Sequence, residues 1–201
     1  MKTIVCISLI FVTLVVVLAL TSATAKSQAG ILKEPMAPPA PGFAVKPAII
    51  VPLSGPVQGY GERTRDGALL AIQQAQAAGW EIQTVFGDSQ CDAQTAITAA
   101  NQAIFTDSVK YIIGAVCSSA SIPISEIAEA NQVLQISPTS THPQVTVYGD
   151  GTNKEYVFRA CFLDPFQGYV MAAVARDLDA ATAAIMYDEG NGYVAGLAQS
   201  F

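Results

Sequence analysis

The sequence predicts an α/β fold in which a parallel sheet carries helices on both faces. Short apolar runs recur along the chain, and stretches with apolar residues at helical spacing separate them, which is the order of successive βαβ units. The runs lack the alternation of a half-exposed strand, as expected where helices cover both faces of a sheet. Composition agrees. The chain has 201 residues, 51% hydrophobic and 13% charged, which excludes a disordered chain, a collagen-like repeat and a dense disulfide scaffold. Its formal net charge of −6 argues against a nucleic-acid binder, whose affinity would come from Lys and Arg against phosphates.

Residues 1–25 read as a secretory signal peptide. Lys2 is followed by an apolar stretch over 4–20, and Ala23 and Ala25 are the small residues of an A-x-A cleavage site. An uncleaved anchor is the alternative, since the run is near the lower limit for spanning a bilayer. The mature chain is therefore expected in the periplasm or otherwise outside the cytoplasm, where disulfides are permitted. Residues 26–47 read as a Pro-rich linker, with Pro35, Pro38, Pro39, Pro41 and Pro47 excluding both helix and central strand. The folded part is expected to begin at Ala48.

The first strand is predicted over 48–53. A helix follows over 63–78, with Ala68, Leu69, Ile72 and Ala75 in its stripe and Gly79 as its C-cap. The next strand is 82–86 and the next helix 91–105. An almost wholly apolar strand over 111–116 turns through Cys117-Ser118-Ser119 into a helix that runs to Ala130. A fourth strand, 133–137, is cut off by Pro138. A polar loop then leads to a strand at 156–159, a helix over 166–178, a strand over 183–187 and the start of a last helix at Tyr193. That last stretch has no cap and no strand after it, so the sequence reads as the amino-terminal part of a longer protein. Residues after about 165 are expected to pack poorly.

Enzymatic motifs are missing. His142 has no partners for a zinc site, which takes three or four ligands. Ser118 lacks the Gly-x-Ser-x-Gly context of a hydrolase nucleophile. Residues 55–61 are glycine-rich after a strand but match neither the dinucleotide fingerprint nor a phosphate loop. What remains is a set of hydroxyls: Ser54, Ser118-Ser119 and Thr139-Ser140-Thr141 all stand just past predicted parallel strands. In open α/β sheets that edge is where ligands bind, and Ser118 also opens a helix whose amides suit a carboxylate. Caps and turns would use the same residue types. Three clusters at one edge favour a ligand.

Several segments are similar to one known family. Pro52-Leu53-Ser54-Gly55-Pro56 with Tyr60-Gly61, then Asp88-Ser89-Gln90-Cys91-Asp92, Ile113-Gly114-Ala115-Val116-Cys117-Ser118-Ser119 and Ile136-Ser137-Pro138-Thr139-Ser140-Thr141 resemble the leucine/isoleucine/valine-binding proteins. These are the periplasmic substrate-binding components of branched-chain amino acid ABC importers. The likeness continues through Phe158-Arg159, Asp164 with Gln167-Gly168, and Tyr193 with Gly196-Leu197-Ala198, and covers about residues 48–201.

The resemblance implies two Rossmann-like lobes with the ligand held between them, of which residues 48–163 form the first and residues 164–201 open the second. It implies capture of a branched-chain or related amino acid, or an amide, by hinge closure, without catalysis or cofactor. It also implies delivery by a monomer to an inner-membrane permease. A sensory domain and an amidase-type use of the same fold are the alternatives. By position, Ser118 and Thr141 resemble the residues that hold the ligand carboxylate and ammonium. Thr139 matches a position whose backbone carbonyl accepts from the ligand ammonium, Tyr60 an aromatic pocket wall, and Tyr193 the residue that closes over the ligand. Thr139 and Ser140 stand where an Ala pair often lines the pocket, which implies a more polar pocket. The stretch from Asp188 to Tyr193 is one residue longer than the family pattern. The site residues are expected to converge around a cavity sized for one amino acid.

The mature chain has Cys91, Cys117 and Cys161, so one pair at most can form and one thiol is left over. Cys91 and Cys117 lie at the starts of neighbouring predicted helices on one edge of the sheet. They are the expected disulfide, with Cys161 free.

Overall fold

The computed structural model describes Ala37 and residues 44–201. The expected signal peptide and nearly all of the expected linker lie outside the described residues. Among the described residues no helix is long and apolar enough to cross a membrane.

The chain order is β1 (Ala44–Val45), β2 (Pro47–Val51), α1 (Gln58–Ala77), β3 (Glu81–Ile82), β4 (Val85–Asp88), α2 (Ala93–Asn101), β5 (Tyr111–Gly114), α3 (Ser118–Ala130), β6 (Leu134–Ser137), β7 (Val157–Arg159), α4 (Asp164–Asp177) and α5 (Gly192–Ser200). Five strands form one sheet in the order β4-β2-β5-β6-β7, and every pairing in it is parallel. The chain goes from β2 to β4 on one side and then crosses to β5 on the other. The order therefore reverses beside β2, and the loops after β2 and β5 diverge there, which opens a crevice at the carboxyl edge.

All five residues of β2 are buried, because the strand is central and covered on both faces. Ala48 and Ile50 join the core under α2 and α3, whereas Ile49 and Val51 join the core under α1 with Ile72. This is the two-residue period of a strand feeding two cores at once. Alanines at 96, 100, 120 and 128 are buried in the first core, where small side chains let α2 and α3 approach the sheet closely.

Several boundaries differ from expectation. Among the described residues the first strand begins at Ala44, not Ala48: β1 pairs with β3, and Pro47 opens β2, the strand position where a missing N–H is tolerated. The strand expected over 82–86 divides in two, since Glu81–Ile82 pairs with β1 while Val85–Asp88 pairs with β2. Helix α1 starts five residues early, taking in Tyr60 and Gly61. Gly61 lies so close to β2 that a Cβ there would overlap the Pro52 carbonyl, so a side chain at this position would push the helix off the strand. Helix α2 ends in a π turn, Gln102–Thr106.

The strand expected over 183–187 is not formed. Ile185, Met186 and Tyr187 are exposed, with Met186 at 99%, and among the described residues no neighbouring strand supplies the backbone partners an extended segment needs. Helices α4 and α5 pack on each other, yet α4 buries only Asp164 and Gly168 and α5 buries nothing. This is the contrast in packing that the sequence leads one to expect after residue 165.

Two interactions shape the edge near β2. Cys91 and Cys117 form a disulfide with Cα atoms 5.4 Å apart, and Cys161 is free. Gln90 and Cys91 have φ of 50° and 56°, a left-handed backbone that non-glycine residues hold only under constraint. The constraint is visible: the Ser119 hydroxyl donates to the Cys91 carbonyl (2.8 Å) and the Gln90 amide donates to the Asp88 carboxylate (3.0 Å). Asp88 also accepts from the Leu53 amide (2.8 Å) and the Ser54 hydroxyl (2.6 Å), so one carboxylate ties the loops after β2 and β4. Partial burial pushes its pKa up, but the Ser54 hydroxyl and these amides outweigh that and hold it below the usual carboxylate value.

Two outcomes follow for stability. Replacing both Cys91 and Cys117 by Ser should lower the urea unfolding free energy by about 3–4 kcal/mol, the chain-entropy value for a bridge of this span. A loss below about 1 kcal/mol would show that the loop holds without the bond. For Asp88 the folded pKa is depressed, so its contribution is complete above the unfolded carboxylate pKa and disappears as pH falls through the folded one. Asp88→Asn should therefore flatten the fall in stability seen below about pH 4, as measured by denaturant titrations across that range.

Candidate functional site

The loops after β5 and β6 emerge from neighbouring strands at the same edge. Ser118 is the first residue of α3. The residue before it, Cys117, is committed to the disulfide and provides no side-chain cap for the helix. The first amides of α3 and the positive end of its dipole thus face the edge without a side-chain acceptor.

Ser118 and Thr141 are brought together there. The Ser118 hydroxyl oxygen accepts a long bond from the His142 amide (3.4 Å), which leaves its own proton uncommitted. Thr141 is 6% exposed, and its hydroxyl has no hydrogen-bond partner. A buried hydroxyl in that state is one that water or a ligand ordinarily satisfies. Asp164, fully buried at the start of α4, likewise has one carboxylate oxygen without a partner, and its amide donates to the Thr141 carbonyl (3.1 Å).

The other hydroxyls of the edge are spent on the protein itself. Ser54 donates to Asp88 and Ser119 to the Cys91 carbonyl. Ser121, Ser137 and Ser140 gather around the Ala115 carbonyl. Thr139 donates to the Val116 carbonyl at 2.8 Å. The expectation that Thr139 and Ser140 make the pocket more polar is therefore corrected: Ser140 is buried and both hydroxyls are turned onto backbone carbonyls.

Sequence reasoning missed what holds the Thr139–Thr141 loop. The Arg159 guanidinium, at the end of β7, donates to the carbonyls of Ser140 (2.8 Å), His142 (3.0 Å) and Pro143 (3.2 Å) and to the Thr146 hydroxyl (2.8 Å). Lys154, with its side chain fully buried, donates to the Gln144 carbonyl (3.0 Å), Ser125 (2.7 Å) and Glu126 (2.6 Å). The loop after β6 is thus clamped by two cations through its carbonyls. A lone charge closing the apolar run Val157-Phe158-Arg159 was the available signal for the first. Cys161 donates to the same Ser140 carbonyl (3.4 Å), and burial pushes its thiol pKa up, which keeps it a thiol.

Tyr60 lies in the first turn of α1, at the end of β2, and is 65% exposed. Tyr193 lies in the first turn of α5, whose Gly196 passes so close to His142 and Asp164 that a Cβ would sit 2.8 Å and 3.0 Å from them. That contact sets Tyr193 within one helical turn of the loop. The structure brings Ser118, Thr139 and Thr141 to one place and sets Tyr193 on a helix that abuts it, whereas Tyr60 is on α1, which packs on β2. The enclosed, amino-acid-sized cavity is another matter. The three described cavities, of about 380, 560 and 570 Å³, lie beside β4 and α2, beside Glu126 and Tyr148, and between α4, α5 and residues 180–187. None of the three is lined by the five expected site residues, because Ser118, Thr139 and Thr141 stand at an open edge with one wall. Among the described residues no group of three or more His, Cys, Asp or Glu could hold a metal ion, and the His142 Nδ1 atom accepts from the Gln144 amide (3.2 Å).

Residues 44–200 match the family model described as periplasmic binding protein. The chain is 36% identical over 150 residues, 72% of its length, to the leucine-, isoleucine-, valine-, threonine- and alanine-binding protein of Pseudomonas aeruginosa. It is 35% identical over 161 residues, 78% of its length, to the leucine-specific-binding protein of Salmonella typhimurium. These matches span 39% and 42% of the two relatives, so the chain covers well under half of their length. A leucine-binding protein from Thermotoga maritima superposes with a TM-score of 0.72 at 36% identity, over 78% of this chain and 44% of that one. A branched-chain amino acid transporter substrate-binding protein from Streptococcus pneumoniae, solved with isoleucine, gives 0.70 at 26% identity over 79% and 45%. With its all-parallel sheet, its crevice beside β2 and this match over nearly every described residue, the chain belongs to the periplasmic binding protein family.

Proposed function

We propose that the chain belongs to an extracytoplasmic substrate-binding protein that captures a branched-chain or related amino acid and hands it to the permease of an ABC importer. The observation that carries this reading is the pair of hydroxyls with spare capacity, Ser118 and Thr141, beside the uncapped start of α3. The names of the relatives and the isoleucine complex of the Streptococcus pneumoniae protein support the ligand class.

In this reading the ligand carboxylate sits at the amino terminus of α3, where the Ser118 hydroxyl and the first amides donate to it. The ammonium lies against the Thr139 carbonyl and the Thr141 hydroxyl. Tyr60 walls the ligand side chain, and Tyr193 comes over it from α5. Closure follows from differential contact: a ligand that touches both sides of the crevice favours the form in which the two sides are close. Short-range donors hold an anionic group although the chain is acidic, because charges beyond about 10 Å are screened. The signal peptide delivers the protein to the periplasm, where it acts as a monomer.

Calorimetry on the full-length protein with leucine, isoleucine, valine and small amides tests this. One of them should bind, and Ser118→Ala should weaken it by about 1–2 kcal/mol, the scale for losing a hydrogen bond to a charged group. Thr141→Val should do the same without lowering the melting temperature, since the native hydroxyl has no protein partner to lose. Binding of none of these ligands, or a Ser118→Ala protein that binds as tightly as its parent, would defeat the assignment.

A further inference from the structure

Asn191 is the one asparagine of the chain that is followed by glycine, and it stands exposed at the start of α5. Its Oδ1 atom accepts from the amides of Tyr193 (3.1 Å) and Val194 (3.4 Å), so it caps the helix. An Asn–Gly pair is also where the peptide chemistry of asparagine is easiest, because no side chain on the next residue hinders the approach of its nitrogen to the amide carbon. A Cβ on Gly192 would meet nothing within 4 Å, so the packing here does not require glycine.

The cap and that chemistry exclude each other. At ψ 106° the Gly192 nitrogen is turned away from the Asn191 Cβ, and the two amides hold the side chain in this arrangement. Reaction needs the Asn191 peptide to swing round and Oδ1 to leave the helix. What keeps the cap in place is the seat of α5, which packs on α4 and passes over His142 and Asp164 at Gly196, yet buries no residue of its own. A helix so lightly held opens locally before the sheet does.

We propose that Asn191-Gly192 is a deamidation site gated by the seating of α5. In the open state the Gly192 nitrogen attacks the Asn191 Cγ atom, its proton leaves with the amide nitrogen as ammonia, and a succinimide ring closes. Water then opens the ring. Cleavage between the Gly192 nitrogen and Cγ gives aspartate, and cleavage between that nitrogen and the main-chain carbonyl carbon gives isoaspartate. Water is consumed, ammonia is released, and nothing is oxidised or reduced. Aspartate keeps the cap and adds a negative charge at the positive end of the helix. Isoaspartate inserts a carbon into the main chain and removes the cap, and Tyr193 moves with it. That consequence for ligand capture rests on the binding reading given above, whereas the deamidation itself does not.

Peptide mapping by mass spectrometry follows the conversion of amide to acid in the full-length protein, in mildly alkaline buffer, with Asn101, Asn131 and Asn153 as internal references. Asn191 should convert at least about tenfold more slowly in the native protein than in the same protein unfolded in urea, since reaction waits on local opening. Gly192→Ala, which the open space around Gly192 accepts, should slow conversion in urea by about tenfold or more. Gly196→Ala places a Cβ 2.8 Å from the His142 ring, so it should unseat α5 and bring the native rate towards the rate in urea. Amide hydrogen exchange over 192–196 reports the seating directly. The gating is overturned if native and unfolded protein convert at the same rate, or if Gly196→Ala exposes the α5 amides to exchange with no gain in rate. The site itself is overturned if Asn191 in urea converts no faster than the reference asparagines, or no more slowly in Gly192→Ala.

Discussion

The start of α3 cannot move far while Cys117 is bonded to Cys91, and the rest of the edge is built on that fixed point. Ser119, one residue into the helix, reaches back to Cys91, and Ser121, on the next turn face, reaches back to Ala115. Ser137 and Ser140 close on the same Ala115 carbonyl from the end of β6. The loops after β4, β5 and β6 thus share one small set of anchors. A reducing environment would remove the first of them, and an oxidising compartment keeps it.

Much of the architecture was legible because it rests on local pattern. The apolar run through Ile49 and Ile50, the stripe of Ala96 and Ala100 and the Gly79 after α1 each announce their element without reference to the rest of the chain. Where pairing decides, the pattern failed. The segment around Gln83 reads as one strand until β1 and β2 each claim half of it. Residues 183–187 have strand composition and no strand, since backbone partners must come from elsewhere in the fold.

The site was half legible for a related reason. Hydroxyls after parallel strands mark the edge, but a Ser that faces a ligand and a Ser that ties down a carbonyl are the same letter. Only the fold separates Ser118 from Ser119, or Thr141 from Ser140. The clamps were harder still. Lys154 reaches Ser125 across 29 positions and Arg159 reaches Ser140 across 19, so neither contact has a local signature. A lysine in a polar loop reads as solvated surface, yet this one is enclosed by a hydroxyl, a carboxylate and a carbonyl.

Arg159 has an effect on the far side of the loop that it holds. A trans peptide points its carbonyl and its amide in opposite directions. By drawing the Ser140 carbonyl to itself, the guanidinium turns the N–H of the same peptide, that of Thr141, the other way. A cation at the back of the loop thus sets the direction of a dipole at its front, and its charge, set against the carbonyl end, polarises the peptide so that the N–H end becomes more positive. The loop becomes a polarised shelf whose sign is written by a residue that no ligand has to touch.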